Sequence, residues 1–175
     1  MTEEISPQYK DLDIWTTGAA VEAMFNGQLD AIKVIKPALQ DISKTAEAAA
    51  LRLGKKGRLF YVGAGTSGRL AVLDGSELGP TFGWPFERLV FCMAGGAEAL
   101  LRSQEGAEDI AENGQSFIQD AQAGPADVVI CVAASGRTPF TLGALREAQS
   151  RGAMTVGISN NPDTPLLIDS DFPIL

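Results

Sequence analysis

Residues 58–69 read RLFYVGAGTSGR, a short apolar and aromatic run that ends in three closely spaced glycines and two hydroxyl side chains. Residues 58–62 have the length and texture of a strand buried on both faces, and residues 68–78 are compatible with a helix. The pattern recurs downstream. Residues 88–93 (RLVFCM) precede Ala-Gly-Gly, residues 127–132 (DVVICV) precede AASGRTP, and residues 154–158 (MTVGI) precede SNNPDTP. Residues 139–151 read as helix capped by Gly152. Residues 97–122 read as mostly helical with breaks at Gly106 and Asn113-Gly114, and DSDFPIL at 169–175 begins a fifth strand. Short apolar strands alternating with helices predict a parallel α/β sheet with right-handed crossovers. Ligands bind such sheets beyond the carboxyl ends of the strands, where this chain places its small, polar and flexible segments.

Upstream, residues 1–13 are expected to be an irregular arm, followed by helical patterns over 16–25 and 29–53. Leu29, Ile32, Ile35, Leu39 and Ile42 recur at steps of three and four, and Pro37 predicts a kink or two helices. Gly54 and Gly57 flank two lysines, as at a helix end with cations near its negative pole.

Composition narrows the function. Of 175 residues, 45% are hydrophobic and 21% charged, which excludes global disorder, and the 19 glycines cluster without the period of collagen. A net charge of −8 argues against nucleic acid and an anionic membrane surface as partners. It leaves open a phosphorylated small molecule, because backbone N–H groups hold phosphate without cations. The chain has no histidine, so no His-based triad or His metal ligand is available, and carboxylates, lysine or tyrosine must carry any proton transfer. Cys92 and Cys131 sit in apolar runs and read as buried thiols rather than a disulfide framework. The first 13 residues are too polar for a signal peptide and no run spans a membrane, so a soluble cytoplasmic protein is expected.

GAGTSGR at 63–69 suits a phosphate: glycines allow close backbone approach, Thr66 and Ser67 supply hydroxyls, and a helix start supplies free N–H groups. It lacks the lysine of a Walker A loop. It reads formally as G-x-G-x-x-G, yet no acidic residue closes the next strand to hold a ribose. A tight turn without a ligand is the plain alternative. AASGRTP at 133–139 repeats the device with Ser135, Gly136 and Thr138, and Pro139 suits a first helical turn. Two such turns in one sheet point to a shared anion. Glu77 and Glu108 are candidate proton-transfer groups, with Asp74, Glu105 and Asp109 as near companions; any one alone reads first as a solvated helix carboxylate, and the absence of histidine is what raises a carboxylate pair. Arg69 and Arg137 follow the two turns and could contact phosphate or pair with surface carboxylates. Trp84 and Phe86 read as packing residues under a loop, with sugar stacking as the lesser alternative.

Three stretches together resemble the sugar isomerase (SIS) domain family, and within it the N-acetylmuramic acid 6-phosphate etherases. These are GRLFYVGAGTSGRLAVLDGSELGPTFG at 57–83, AGGAEALLRSQEGAEDI at 94–110 and DVVICVAASGRTPFTLGALREAQSRGAMTVGISNNPDTP at 127–165. The resemblance implies a three-layer αβα fold with a parallel sheet of about five strands, a helical arm over 1–54 and a phosphosugar-binding domain over 55–175, with the family's C-terminal half beyond these residues. It implies a sugar 6-phosphate held by Thr66, Ser67, Gly68, Ser135, Gly136 and Thr138. The implied reaction is cleavage of the lactyl ether to N-acetylglucosamine 6-phosphate and D-lactate, with Glu77 as acid at the leaving oxygen and Glu108 as base at C2. It further implies a homodimer, and neither a metal nor an organic cofactor. Where the family usually carries Cys-Pro-Pro and Ser-Cys-Asn-Pro, this chain has Leu78-Gly79-Pro80 and Ser159-Asn160-Asn161-Pro162. A non-catalytic phosphosugar-binding module and a ketose–aldose isomerase are the alternative readings.

Overall fold

The structure, a computed structural model, describes residues 5–175. The expected arm at 1–13 lies partly outside them; from residue 5 it contains two short 3₁₀ turns, Pro7–Tyr9 and Leu12–Ile14. Helices α1 (Thr17–Val34) and α2 (Leu39–Leu53) follow, separated by a 3₁₀ turn at Lys36–Ala38 that contains Pro37. The ring cannot donate an N–H to the ladder, so the chain divides there into two helices.

The five strands are β1 (Leu59–Gly63), β2 (Leu89–Met93), β3 (Val128–Val132), β4 (Met154–Ile158) and β5 (Phe172–Ile174). They form one parallel sheet in the order β2-β1-β3-β4-β5. Between them lie α3 (Gly65–Phe82), α4 (Ala111–Asp120), α5 (Pro139–Ser150) and α6 (Pro165–Asp169). Alternate strand residues feed two separate cores. Phe60 and Val62 of β1 pack with Ile118 of α4, Phe140 and Leu145 of α5 and Leu166 of α6. Leu59 and Tyr61 pack on the other face with Ala71 of α3 and Leu53 of α2. The result is the expected three-layer α/β architecture.

Helix α3 carries the chain outward from β1 to β2 on one face; α4, α5 and α6 carry it the other way on the opposite face. The winding therefore reverses between β1 and β3, which makes their carboxyl ends the topological switch point of the sheet.

The structure corrects several sequence expectations. Helix α3 begins at Gly65 and runs on to Phe82, with Pro80 inside its last turn. Gly83, at φ +66°, then ends it by donating to the Gly79 carbonyl while Trp84 N–H donates to Leu78. The helix expected over 97–122 is instead a 3₁₀ turn at Ala97–Leu100, an irregular segment over 101–110, and α4. Gly114 does not break α4. It is a point of close approach to α5, where any side chain would collide with the Phe140 carbonyl. Trp84 packs as expected, with the Arg88 guanidinium 4.3 Å above its ring, but Phe86 is 77% exposed and packs under nothing. The negative pole of α2 is served by Arg88, which donates to the carbonyls of Leu53 and Gly54, rather than by the adjoining lysines. The apolar stripe of α1 stays exposed in the single chain: the helix has no buried residue.

Candidate functional site

Gly63 and Val132 are paired partners at the ends of β1 and β3, so both glycine turns leave neighbouring strands at the same rim of the sheet. The two turns reach this position by different physics. After β1 the chain enters α3 at Gly65, whose φ of +52° needs no Cβ. Gly68 lies against Gly63: a methyl group on it would stand 2.7 Å from the Gly63 carbonyl carbon and would also strike Met93 Sδ. The first helical bond is Gly68 N–H to the Ala64 carbonyl at 2.9 Å. The N–H groups of Gly65, Thr66 and Ser67 therefore remain outside the helical ladder, with no side-chain cap to use them. Thr66 is exposed and Ser67 half-buried at this helix start. Gly68 itself is buried and lets helix and strand approach, while its N–H is already engaged.

After β3, Gly136 turns at φ +66° and any side chain there would collide with Thr164. Ser135 Oγ accepts the Arg137 N–H at 3.2 Å, which leaves its own hydrogen free to donate. Thr138 is the residue before α5 and uses no side-chain cap bond. Ser135 and Thr138 are half-buried and Arg137 is exposed. Beneath the turn, the Thr164 hydroxyl is wholly buried and has no hydrogen-bond partner; the same holds for Thr141 in the first turn of α5.

Glu108 lies between the two turns. Its Oε2 stands 3.9 Å from the position a Cβ on Gly65 would take, and its backbone carbonyl accepts the Phe140 N–H of α5 at 3.0 Å. The 3₁₀ turn that leads into the irregular segment 101–110 is anchored by Arg69, whose Nε donates to the Ala99 carbonyl at 2.9 Å. Gly65, Arg69, Met93, Glu105 and Glu108 line a cleft of about 220 Å³. That is below the roughly 300–1,000 Å³ typical of small-molecule sites.

Glu77 is elsewhere. It is exposed on α3, twelve residues beyond Gly65, about 18 Å along the helix axis. Its companion Asp74 accepts the Tyr61 hydroxyl at 2.9 Å; burial first, and this carboxylate second, push the phenol's pKa well above its ordinary value near 10. Burial likewise raises Cys92 and Cys131, which are free, inert thiols in the core.

Sequence reasoning missed the residues that hold the turns. Arg69 acts first as an anchor for the 3₁₀ turn that leads into segment 101–110, and SNNPDTP supports the turn after β3 from below. Its position beyond β4 on the same rim was the available signal.

Comparison with known proteins agrees with this fold. Residues 41–149 match the model of the glucokinase regulatory protein N-terminal SIS domain. Over 174 residues, 99% of the chain, it is 48% identical to an N-acetylmuramic acid 6-phosphate etherase of Deinococcus radiodurans and 45% identical to one of Rubrobacter xylanophilus. It spans 57% and 58% of the length of those two proteins. A phosphoheptose isomerase from Francisella tularensis superposes with a TM-score of 0.70 over 92% of this chain and 87% of its own, at 17% identity, a likeness of fold. Since the matched model covers more than half of the chain and the architecture accords with it, the chain belongs to the SIS-domain family.

Proposed function

We propose that this chain is the phosphosugar-binding part of a carbon–oxygen lyase that cleaves the D-lactyl ether of N-acetylmuramic acid 6-phosphate. The carrying observation is the placement of two hydroxyl-lined turns side by side at the β1/β3 switch point, with the Glu108 carboxylate above one and its backbone tied to the other. In this reading the 6-phosphate sits against Thr66, Ser67, Ser135 and Thr138, and Gly68 and Gly136 make room for the turns that present them. Likeness to etherases over nearly the whole chain supports the same substrate.

The chemistry needs one base and one acid. Glu108 removes the C2 proton of the opened sugar. The C2 electron pair forms the C2–C3 double bond as the C3–O bond to lactate breaks, and protonated Glu77 gives its proton to the departing oxygen. Water then adds at C3, losing a proton to Glu77, while Glu108 returns its proton to C2. The products are N-acetylglucosamine 6-phosphate and D-lactate, and both carboxyl groups end as they began. The proposed step needs no metal or organic cofactor. We place it in the cytoplasm, in keeping with two unpaired buried thiols.

Glu77 lies too far along α3 to act beside Glu108 of the same chain. Thr66, Leu70, Leu73 and Glu77 fall on one face of α3 at steps of three and four. Leu70 and Leu73 are 60% and 61% exposed there. In the proposed homodimer this face meets a second copy, and Glu77 completes the partner's site. The exposure of Glu77 favours, as a second reading, a module that binds phosphosugar without turning it over. Release of D-lactate from N-acetylmuramic acid 6-phosphate separates the two: an etherase releases it, whereas a binding module is titrated by the sugar phosphate and leaves it intact.

A further inference from the structure

The turn after β3 is held by its carbonyls. Asn160 N–H and Asn161 Nδ2 donate to the Ala134 carbonyl at 3.0 and 2.9 Å, and Ser159 Oγ lies 3.2 Å from the same oxygen. Two donors fill the two lone pairs, so the Ser159 hydrogen is shared between Ala134 and the Asn161 carbonyl, 3.3 Å away. Ser159 Oγ in turn accepts the Asn161 N–H at 3.2 Å. Two residues further along the turn, the Gly136 carbonyl accepts Leu166 N–H at 3.1 Å. Asn161 and Ser159 are only 6% and 2% exposed, so these bonds lie out of water, where an unmade one is costly.

Carbonyl oxygens facing a phosphoryl group would repel it. In this turn the carbonyls of Ala134 and Gly136 are drawn down into segment 159–166, so the opposite edge, with the Ser135 hydroxyl and the start of α5, is left for an anion. We propose that Asn161, supported by Ser159, is a positioning residue: by saturating the Ala134 carbonyl it fixes the turn at 135–138 with its donors toward the phosphoryl group. The inference rests on the phosphosugar reading above and extends it to a segment that touches no substrate itself.

The test is calorimetric titration of the 175-residue chain with inorganic phosphate and with N-acetylmuramic acid 6-phosphate, alongside thermal melting and lactate release. Asn161→Leu nearly keeps the shape and removes the donor without adding a charge. It is expected to weaken both ligands about tenfold, the equivalent of one good hydrogen bond, in protein that is still folded at the titration temperature. Ser159→Ala is expected to weaken them about threefold by the same reasoning. In turnover the loss falls on KM, with kcat held within about twofold, because neither substitution touches the Phe140 N–H bond that holds the Glu108 backbone. Folded variants that bind both ligands as the unaltered chain does overturn the role, however far their melting temperatures fall. If Asn161→Leu does not fold, Ser159→Ala decides by the same readouts. An unaltered chain that binds neither ligand removes the phosphosugar reading and this inference with it; binding that is indifferent to both substitutions removes the positioning role alone.

Discussion

The turn after β1 is held by packing and the turn after β3 by hydrogen bonds. At the first, Gly63 and Gly68 bring strand and helix backbones together with Met93 against them, leaving no room for a methyl group. At the second, three donors from segment 159–161 and one from Leu166 fix the Ala134 and Gly136 carbonyls. Packing answers first to volume and hydrogen bonding first to the loss of a donor or acceptor. The same job, presenting hydroxyls and N–H groups at one rim, is thus exposed to different kinds of damage at its two halves. Glu108 is the one described carboxylate tied to both.

The largest expected effect falls on that bridge. Glu108→Gln keeps the backbone bond to Phe140 and removes the base, so lactate release should drop by about 10²–10⁴-fold, the range for a positioned proton-transfer group, with the fold intact. Glu77→Gln should cost as much. Mixing the two inactive variants sharpens the point. If each site takes one glutamate from each copy, randomly exchanged subunits regain about one quarter of full activity, since half the dimers are mixed and each holds one intact site. No recovery after verified subunit exchange would put both glutamates to work within one chain.

Next come the glycines. Gly68→Ala should destabilise by about 1–3 kcal/mol, the usual cost of overpacking. Met93→Ala should not rescue it fully, because the Gly63 backbone remains 2.7 Å from the new methyl. Gly136→Ala adds a left-handed backbone penalty of about 1–2 kcal/mol to a collision with Thr164. It should also weaken phosphate binding, because the turn can relieve the collision only by moving. Chemical denaturation and phosphate titration of the two variants measure both effects. Equal loss of phosphate affinity at equal loss of stability would erase the distinction between the turns.

Much of this was legible in the sequence. The four strand-then-turn segments gave the sheet, because apolar runs without polar alternation have one stable solution, burial on both faces. The two candidate turns could be named because glycine, serine and threonine recur at strand ends, and the structure puts both at one rim. What stayed hidden was long-range. Gly114 looks like a helix breaker until α5 is known to pass over it, and 97–110 has helical composition while being drawn out by Arg69 at one end and α5 at the other. Asn161 is an ordinary loop residue until the Ala134 carbonyl, 27 positions earlier, is seen beside it. Glu77 has the right residue type, and no local pattern could tell that it lies three turns from Glu108's cleft.

The smallest expected effect tests the packed side on a side-chain hydrogen bond beneath it. Tyr61, 6% exposed beneath α3 with its ring against Gly75, donates to Asp74. Its pKa is raised by burial first and by Asp74 second, so the folded state resists losing the phenolic proton while the unfolded chain releases it near pH 10. The unfolded state then binds fewer protons than the folded one, and stability, fully present below pH 10, declines as pH rises above it. Cys92 and Cys131, raised by burial from near 9, start the same decline slightly lower. Tyr61→Phe should cost about 1 kcal/mol at neutral pH, the value of a net hydrogen bond, and flatten the alkaline limb of a stability–pH curve without abolishing it, because the thiols remain. Phosphate affinity should not change, since the β1 turn is held by volume, and removing a hydroxyl from Tyr61 leaves the contact between Gly63 and Gly68 as it was. A phosphate affinity that fell with this substitution would mean that the first turn, like the second, depends on a hydrogen bond beneath it.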